Sequence, residues 1–148
     1  MEENITFTII KPGAVRHEYI GRILSMITDA GFRIVAMKYL KLRKRQAEAF
    51  YNMHTDKPFF EELIDFMISG PIVVAILEKE NAVVEYRKLI GSTDPEQAED
   101  GTIRKLFAQS LQKNAVHGSD SVESANRESN FFFSTSERYD KEGLCYET

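Results

Sequence analysis

Ile72-Val73-Val74-Ala75-Ile76-Leu77 is apolar at every position. Such a run reads as a strand with no polar face, and a strand of that kind belongs at the centre of its sheet. Working outward from it, two helical stretches precede it, about Lys44 to Asn52 and about Phe59 to Ile68. In the second, Phe60, Leu63, Ile64 and Met67 form an i, i+3, i+4, i+7 stripe. Earlier still, Arg33 to Leu42 is β-rich with period two, placing Ile34, Ala36, Leu40 and Leu42 on one side. Tyr19 to Ala30 carries Ile20, Ile23, Leu24 and Ile27 on one helical face, and Gly31 is placed to stop that helix. Ile5 to Ile10 alternates apolar and polar residues and runs into a turn at Lys11-Pro12-Gly13.

Downstream of the central run, Asn81 can cap a helix to about Ile90. Residues Gly91 to Lys113 are rich in turn formers, with one short helical piece near Ile103 to Ser110, and a long loop inside a domain is usually functional or disordered. A short fourth strand ends at His117, and a helix from about Ser121 to Asn130 follows. Asp120, three residues before Glu123, matches an N-cap with its capping box. The order strand, helix, strand, helices, strand, helix, strand points to an α+β fold, an antiparallel sheet with helices packed on one face. No repeat or linker divides the 148 residues, so one domain over 1–148 is expected, its polar residues from Ser134 onward wrapping the surface or a partner.

Composition narrows the function classes. A formal net charge of −4 argues against a general binder of nucleic acid or anionic membrane. Cys145 is the lone cysteine, which excludes a disulfide framework and a cysteine metal cluster and makes a reducing, cytoplasmic setting the expectation. Met1-Glu2-Glu3-Asn4 has no basic start of the kind a signal peptide carries, and the stretch Pro71 to Leu77 is far too short to cross a bilayer.

Chemistry concentrates in Asn114-Ala115-Val116-His117-Gly118-Ser119-Asp120, where an imidazole stands among small, polar and anionic residues before a helix start. Gly118 allows a sharp turn or a close approach to a ligand. A lone histidine is, taken singly, more often structural than reactive. As a nucleophile, His117 needs a neutral ring, a partner that fixes its tautomer and an electrophilic substrate. Lys11, Arg87 and Arg104 stand at a strand tip, a helix end and a loop, three charges that suit a polyphosphate, although each alone is as well read as a solvated cation. Thr102 can cap a helix with Arg104 in its first turn. Tyr51 and Phe59 fall outside the clearest apolar stripes and suit either stacking on a base or core packing. No Walker loop and no Gly-x-Gly-x-x-Gly follows a strand, and His17 and His54 have no neighbours at metal-ligand spacing and are assigned no role.

Taken together, Lys11-Pro12-Gly13, Tyr51, Pro58-Phe59-Phe60, Arg87, Gly91 to Pro95, Gly101-Thr102-Ile103-Arg104 and Asn114 to Asp120 followed by Ser121-Val122-Glu123-Ser124-Ala125 closely resemble nucleoside diphosphate kinase, from about Thr6 to Phe133. The Asn-x-x-His-Gly-Ser-Asp motif is highly specific. The resemblance implies a ferredoxin-like four-stranded antiparallel sheet with helices packed on it. It also implies ping-pong transfer of the γ-phosphate of a nucleoside triphosphate, typically ATP, to a nucleoside diphosphate through phosphohistidine, with broad base specificity.

By the same resemblance His117 is the nucleophile through Nδ1, Glu128 holds the ring and Ser119 supplies a hydroxyl beside it. Lys11, Tyr51, Arg87, Thr93, Arg104 and Asn114 correspond to contacts with phosphates and ribose, and Phe59 to the residue under the base. Mg²⁺ would arrive on the nucleotide phosphates rather than on a protein site, and the partners implied are nucleotides and further copies of the chain, as a tetramer or hexamer that the 134–148 tail helps to form. Gly13 stands where the family usually has Asp or Asn, Lys57 where Arg is common and Ser129 where Ile is, and the tail after Phe133 matches poorly. Two other classes compete: a catalytically silent nucleotide-binding or partner-binding module, disfavoured because His117, Lys11 and Arg104 are all present, and a nucleic-acid-binding α+β domain, disfavoured by the acidic balance and the lack of an aromatic-basic sheet motif.

Overall fold

The computed structural model describes residues 2–111 and 113–146. In chain order the elements are β1 (Ile5–Ile10), α1 (Pro12–Arg16), α2 (Ile20–Asp29), β2 (Arg33–Leu40), α3 (Lys44–Phe50), α4 (Phe60–Met67), β3 (Ile72–Glu78), α5 (Ala82–Ile90), α6 (Ile103–Phe107), β4 (Val116–Gly118) and α7 (Val122–Phe132), with single 3₁₀ turns at Asn52–His54 and Thr135–Glu137. The sheet order is β2-β3-β1-β4, and each neighbouring pair is antiparallel. The all-apolar run is therefore central, flanked on both sides, and the α+β fold is as expected.

Helices clothe both faces of the sheet rather than one. Phe7, Ile9, Val74 and Ile76 meet Phe50, Ile64 and Phe132 of α3, α4 and α7 on one side. Ile10, Val73, Ala75 and Leu77 meet Ile23, Ile27, Tyr86 and Ile90 of α2 and α5 on the other. The reason lies in β3 itself, since a strand apolar at each position loses stability wherever either face stays wet. Each fully buried Ile or Phe of these layers contributes about 1.5–3 kcal/mol relative to exposure. On β1 the polar residue Thr8 is accommodated by a 2.6 Å bond between its hydroxyl and that of Tyr86.

Several local expectations shift. β2 does not keep one phase, because a bulge between Ile34 and Ala36 turns Ile34 towards the α2 and α5 side while Ala36 and Leu40 face α3 and α4. Lys11-Pro12-Gly13 is more than a turn: Pro12 opens the five-residue helix α1, a position where its missing N–H costs nothing. Ser121, not Asp120, caps α7, its hydroxyl accepting from Ser124 N at 3.0 Å. Asn81 precedes α5 in a left-handed conformation and makes no side-chain cap bond. The helical piece in the long loop ends at Phe107, short of Ser110.

Register places the reactive segment. Ile9 pairs with His117 and Ile10 with Val116, so the β1 end carrying Lys11 lies beside the start of β4. Lys11 N extends the ladder by donating to Ala115 O at 2.9 Å. The described part of the tail folds back on its own chain: Tyr139 N donates to Val35 O at 3.0 Å, and buried Arg138 donates to Phe133 O at 3.0 Å. The last two residues of that tail lie outside the described residues.

Candidate active site

β4 alternates its side chains, with Val116 in the core beneath α5 and His117 on the opposite face against the rings of Phe7 and Phe50. Gly118 is required by packing rather than by a positive φ, since a Cβ there would stand 2.9 Å from Ile90 Cδ1 and 3.1 Å from the Tyr86 ring. His117 Nε2 lies 2.9 Å from Oε1 of Glu128, which is buried on α7. An ionised carboxylate only accepts, so Nε2 carries the proton and the neutral ring keeps its lone pair on Nδ1. Glu128 Oε1 also accepts from Ser119 Oγ at 2.7 Å, and that hydroxyl in turn accepts from Phe7 N at 3.1 Å. The chain from β1 through Ser119 and Glu128 thus fixes both the orientation and the tautomer of the imidazole.

Opposite this ring the site is cationic. Lys11 is buried and donates from Nζ to Asn114 Oδ1 at 2.8 Å. Burial, with the Arg104 guanidinium adding repulsion, lowers its pKa to about 7. Arg104 is buried behind the Thr102 cap and donates to Gly91 O at 2.9 Å and to Val116 O at 3.0 Å. Burial first, and Arg87 second, bring its pKa down to about 10. Arg87 reaches the same space from the last turn of α5. Crowded cations that weaken one another are an arrangement an incoming polyanion relieves.

The space they share is a cleft of about 510 Å³ lined by Lys11, Tyr51, Arg87, Thr93, Arg104, Asn114, His117 and Glu128, among others. It adjoins a second hollow of about 380 Å³, where Phe59, Leu63 and Leu111 make an apolar wall beside Tyr51, Thr93 and Asn114. Phe59 stands just before α4 and is 38% exposed, enough to offer a ring face. Tyr51 Oη and Arg104 Nε are buried without a hydrogen-bond partner among the described residues. Burial, helped by the Glu128 charge, pushes the Tyr51 phenol pKa up, so it stays a neutral donor.

Asn114 is set by a tight turn. Ala115 has φ +76°, and Val116 N donates to Asn114 O at 3.0 Å, a γ-turn that strains any residue with a side chain.

All ten residues singled out in the sequence converge: nine line the two hollows, and Ser119 stands behind them on Glu128. Three ionisable residues that the sequence reading gave no site role also line the cleft, His54, Asp120 and Arg127, with Phe50 and Met53 beside them. His54 sits three residues after Tyr51 in the turn leading to Phe59, and that placement between two candidate contacts was the available signal. Ser124, through a hydrogen bond to its carboxyl, holds the Asp120 pKa below the usual range.

A family model described as nucleoside diphosphate kinase matches residues 4–138. The chain is 58% identical over 132 residues to a nucleoside diphosphate kinase of Chlorobaculum tepidum, covering 89% of this chain and 94% of that one. It is 56% identical over 133 residues to one of Lawsonia intracellularis, covering 90% and 96%. The nucleoside diphosphate kinase structure from Aquifex aeolicus superposes with a TM-score of 0.90 at 42% identity, over 91% of this chain and 98% of that one. A halophilic nucleoside diphosphate kinase from Halobacterium salinarum in complex with CDP gives 0.89 at 34% identity, over 94% and 93%.

Proposed function

This chain belongs to the nucleoside diphosphate kinase family and is an enzyme that transfers phosphate between nucleotides; from that premise we propose that His117 carries the phosphoryl group from one nucleotide to the next. The observation that carries the reading is the 2.9 Å bond from His117 Nε2 to buried Glu128, which commits that nitrogen and leaves Nδ1 with no hydrogen bond among the described residues, on a ring that lines the cleft with Lys11, Arg87 and Arg104.

The Nδ1 lone pair attacks the γ-phosphorus of a nucleoside triphosphate such as ATP. The bond from that phosphorus to the bridging oxygen breaks, and the diphosphate leaves with the electron pair. Nε2 keeps its proton, and the positive charge that grows on the ring is offset by Glu128. After exchange of nucleotides, a β-phosphate oxygen of the second diphosphate attacks the same phosphorus, and the P–N electrons return to Nδ1. Lys11, Arg87 and Arg104 neutralise the phosphates, with Tyr51, Thr93 and Asn114 orienting phosphate and sugar. Phe59 stacks on the base without reading its edge, which supports broad base specificity.

Phosphoryl transfer between nucleotides generally implies a divalent cation. We propose Mg²⁺ carried on the nucleotide: the cleft offers cations rather than a ligand set, Glu128 is committed to His117 and Ser119, and no group of three or more His, Cys, Asp or Glu fit to hold a metal occurs among the described residues. When bound, the ion neutralises charge across the phosphate oxygens.

The whole chain is read as one domain and as a homo-oligomer, tetramer or hexamer; exposed Met37 and Tyr39 on the edge strand β2, beyond the tail's bond to Val35, support assembly. No helix among the described residues is long and apolar enough to cross a membrane. A cytoplasmic location is proposed, supported by the lone Cys145.

Incubation with Mg²⁺ and γ-labelled ATP should give an acid-labile, base-stable phosphoenzyme, absent in His117→Ala. Equal labelling of that variant would overturn the assignment.

A further inference from the structure

The cleft has a fastening on its outer side that the reaction above does not use. α1 follows Lys11 directly, and His17 closes its end. The Gly13 carbonyl only accepts, so His17 Nδ1, 2.7 Å away, carries a proton. In the neutral ring Nε2 is then an acceptor, and Gln109 Nε2 donates to it at 3.2 Å. The same amide lies over the residue that has no side chain, for a Cβ on Gly13 would fall 3.3 Å from Gln109 Oε1.

Gln109 opens the turn that delivers Asn114. Its backbone N donates to Lys113 O at 2.8 Å, and Asn114 Nδ2 donates to Leu111 O at 2.9 Å. The Phe107 ring lies 4.8 Å from that of Tyr19, which stacks on His17 at 5.6 Å. Residues 107–111 and 113–114 thereby meet residues 11–19 through the Lys11–Asn114 bond inside the cleft, and through the His17–Gln109 bond and the Tyr19–Phe107 ring contact outside it.

We infer that Gln109 is a positioning residue for the nucleotide cleft, its side chain crossing Gly13 to bond His17 and holding Leu111 and Asn114 against the helix that follows Lys11. The inference rests on nucleotides occupying that cleft. Gly13 bears on the contact, because a methyl there would make the amide give by a few tenths of an ångström.

The test is steady-state transfer between ATP and a nucleoside diphosphate, with His117 labelling measured beside it. One side-chain hydrogen bond of ordinary net worth predicts that Gln109→Ala raises the KM for the diphosphate about three- to tenfold. The kcat and the extent of labelling at saturating ATP stay within about twofold, since Gln109 touches no reacting atom. His17→Ala should match it, and the double variant should be no worse than either. Gly13→Ala should raise KM in the wild-type background by pushing the amide, and do nothing further in Gln109→Ala. Gln109→Met keeps the length but loses the donor, so it should behave as Gln109→Ala.

An unchanged KM in Gln109→Ala, a wild-type KM in Gln109→Met, or simple additivity of the Gly13 and Gln109 changes overturns the inference while the kinase reading stands. Should wild-type protein fail to label, the kinase reading fails instead. The fastening then still predicts faster hydrogen exchange in Gln109→Ala at the amides of residues 109 and 110, which bond Lys113 O, and unchanged exchange would overturn it.

Discussion

Glu128 Oε1 lies 2.9 Å from His117 Nε2 and 2.7 Å from Ser119 Oγ, so one buried carboxylate oxygen receives both the ring proposed to react and the hydroxyl beside it. The two donors come from β4 and the residue just after it, the acceptor from α7. Replacing Glu128 by Gln keeps an acceptor of the same shape and removes the charge. A hydrogen bond to a charged group is worth about 1.5–3 kcal/mol, so single-turnover phosphorylation of His117 should slow by roughly ten- to hundredfold. Nucleotide binding should change little, because Glu128 faces the ring and not the phosphates. A phosphorylation rate within about twofold of wild type would show that the carboxylate charge does not assist the ring.

Lys11 links stability to pH. Its folded pKa of about 7 lies below the ordinary 10.5, so between those values the unfolded chain binds more protons than the folded one. Stability from this group therefore rises with pH across that window, and below about 7, where both states are protonated, the full cost of the buried charge is present. Urea unfolding at several pH values should show this rise, and Lys11→Met should flatten it. Bound polyphosphate favours the charged amine, so nucleotide binding near pH 8 should take up protons, which calorimetry in buffers of different ionisation enthalpy will detect. Proton release in that experiment would contradict the burial of a neutral lysine.

Phe59 presents a partly exposed ring at the mouth of the apolar hollow, with Leu63 and Leu111 beside it. Stacking of a base on an aromatic ring is worth about 1–3 kcal/mol and tolerates every base. Phe59→Ala should therefore weaken binding of purine and pyrimidine diphosphates about tenfold, with little change in their order. Strong new selectivity for purines would mean that the hollow reads more than a ring face.

How far the sequence reaches depends on the range of the interaction involved. The run Ile72–Leu77 declares a central strand by itself, and its lack of a polar side already implied helices on both faces, a consequence the strand order alone did not suggest. Asp120 and Ser121 are equally good caps by residue type, and only the start of α7 decides between them. α1 was hidden because Lys-Pro-Gly has the composition of a turn, while the helix is completed by packing of Ala14 and by His17 closing its end. Nothing local joins His117 to Glu128, eleven residues apart; there the resemblance did the work. His54 escaped because it has no partner at metal-ligand spacing, and its place between Tyr51 and Phe59, with which it lines the hollow, is a signal only once those two are read as contacts.

Gly118 is set by contact distances rather than by backbone angles. Tyr86 and Ile90 of α5 lie on it, and an added Cβ would stand 2.9 Å from Ile90 Cδ1. Both neighbours are fully buried, and Tyr86 is tied to Thr8 by the 2.6 Å bond between hydroxyls, so neither can yield without opening the core. Gly118→Ala should destabilise the fold by about 1–3 kcal/mol in urea unfolding, the usual cost of overpacking. It should also slow labelling of His117, since β4 must shift to admit the methyl.

Ser129 follows Glu128 on α7, fully buried, with a hydroxyl that finds no partner among the described residues. An unsatisfied buried hydroxyl costs about 1–3 kcal/mol of desolvation, whereas removing it leaves a space no larger than one oxygen. Ser129→Ala should therefore raise stability by about 1 kcal/mol, visible as a higher urea midpoint at unchanged slope. Ser129→Ile adds carbons to a site with no exposed surface, and overpacking should move the midpoint down instead. Because Glu128 precedes it on the same turn, the two variants also separate stability from chemistry. Alanine should leave the rate of His117 phosphorylation unchanged, while isoleucine should lower it by displacing the carboxylate from the ring. A fall in stability for Ser129→Ala would mean that the hydroxyl does bond in the folded protein, through a buried water or a neighbouring subunit.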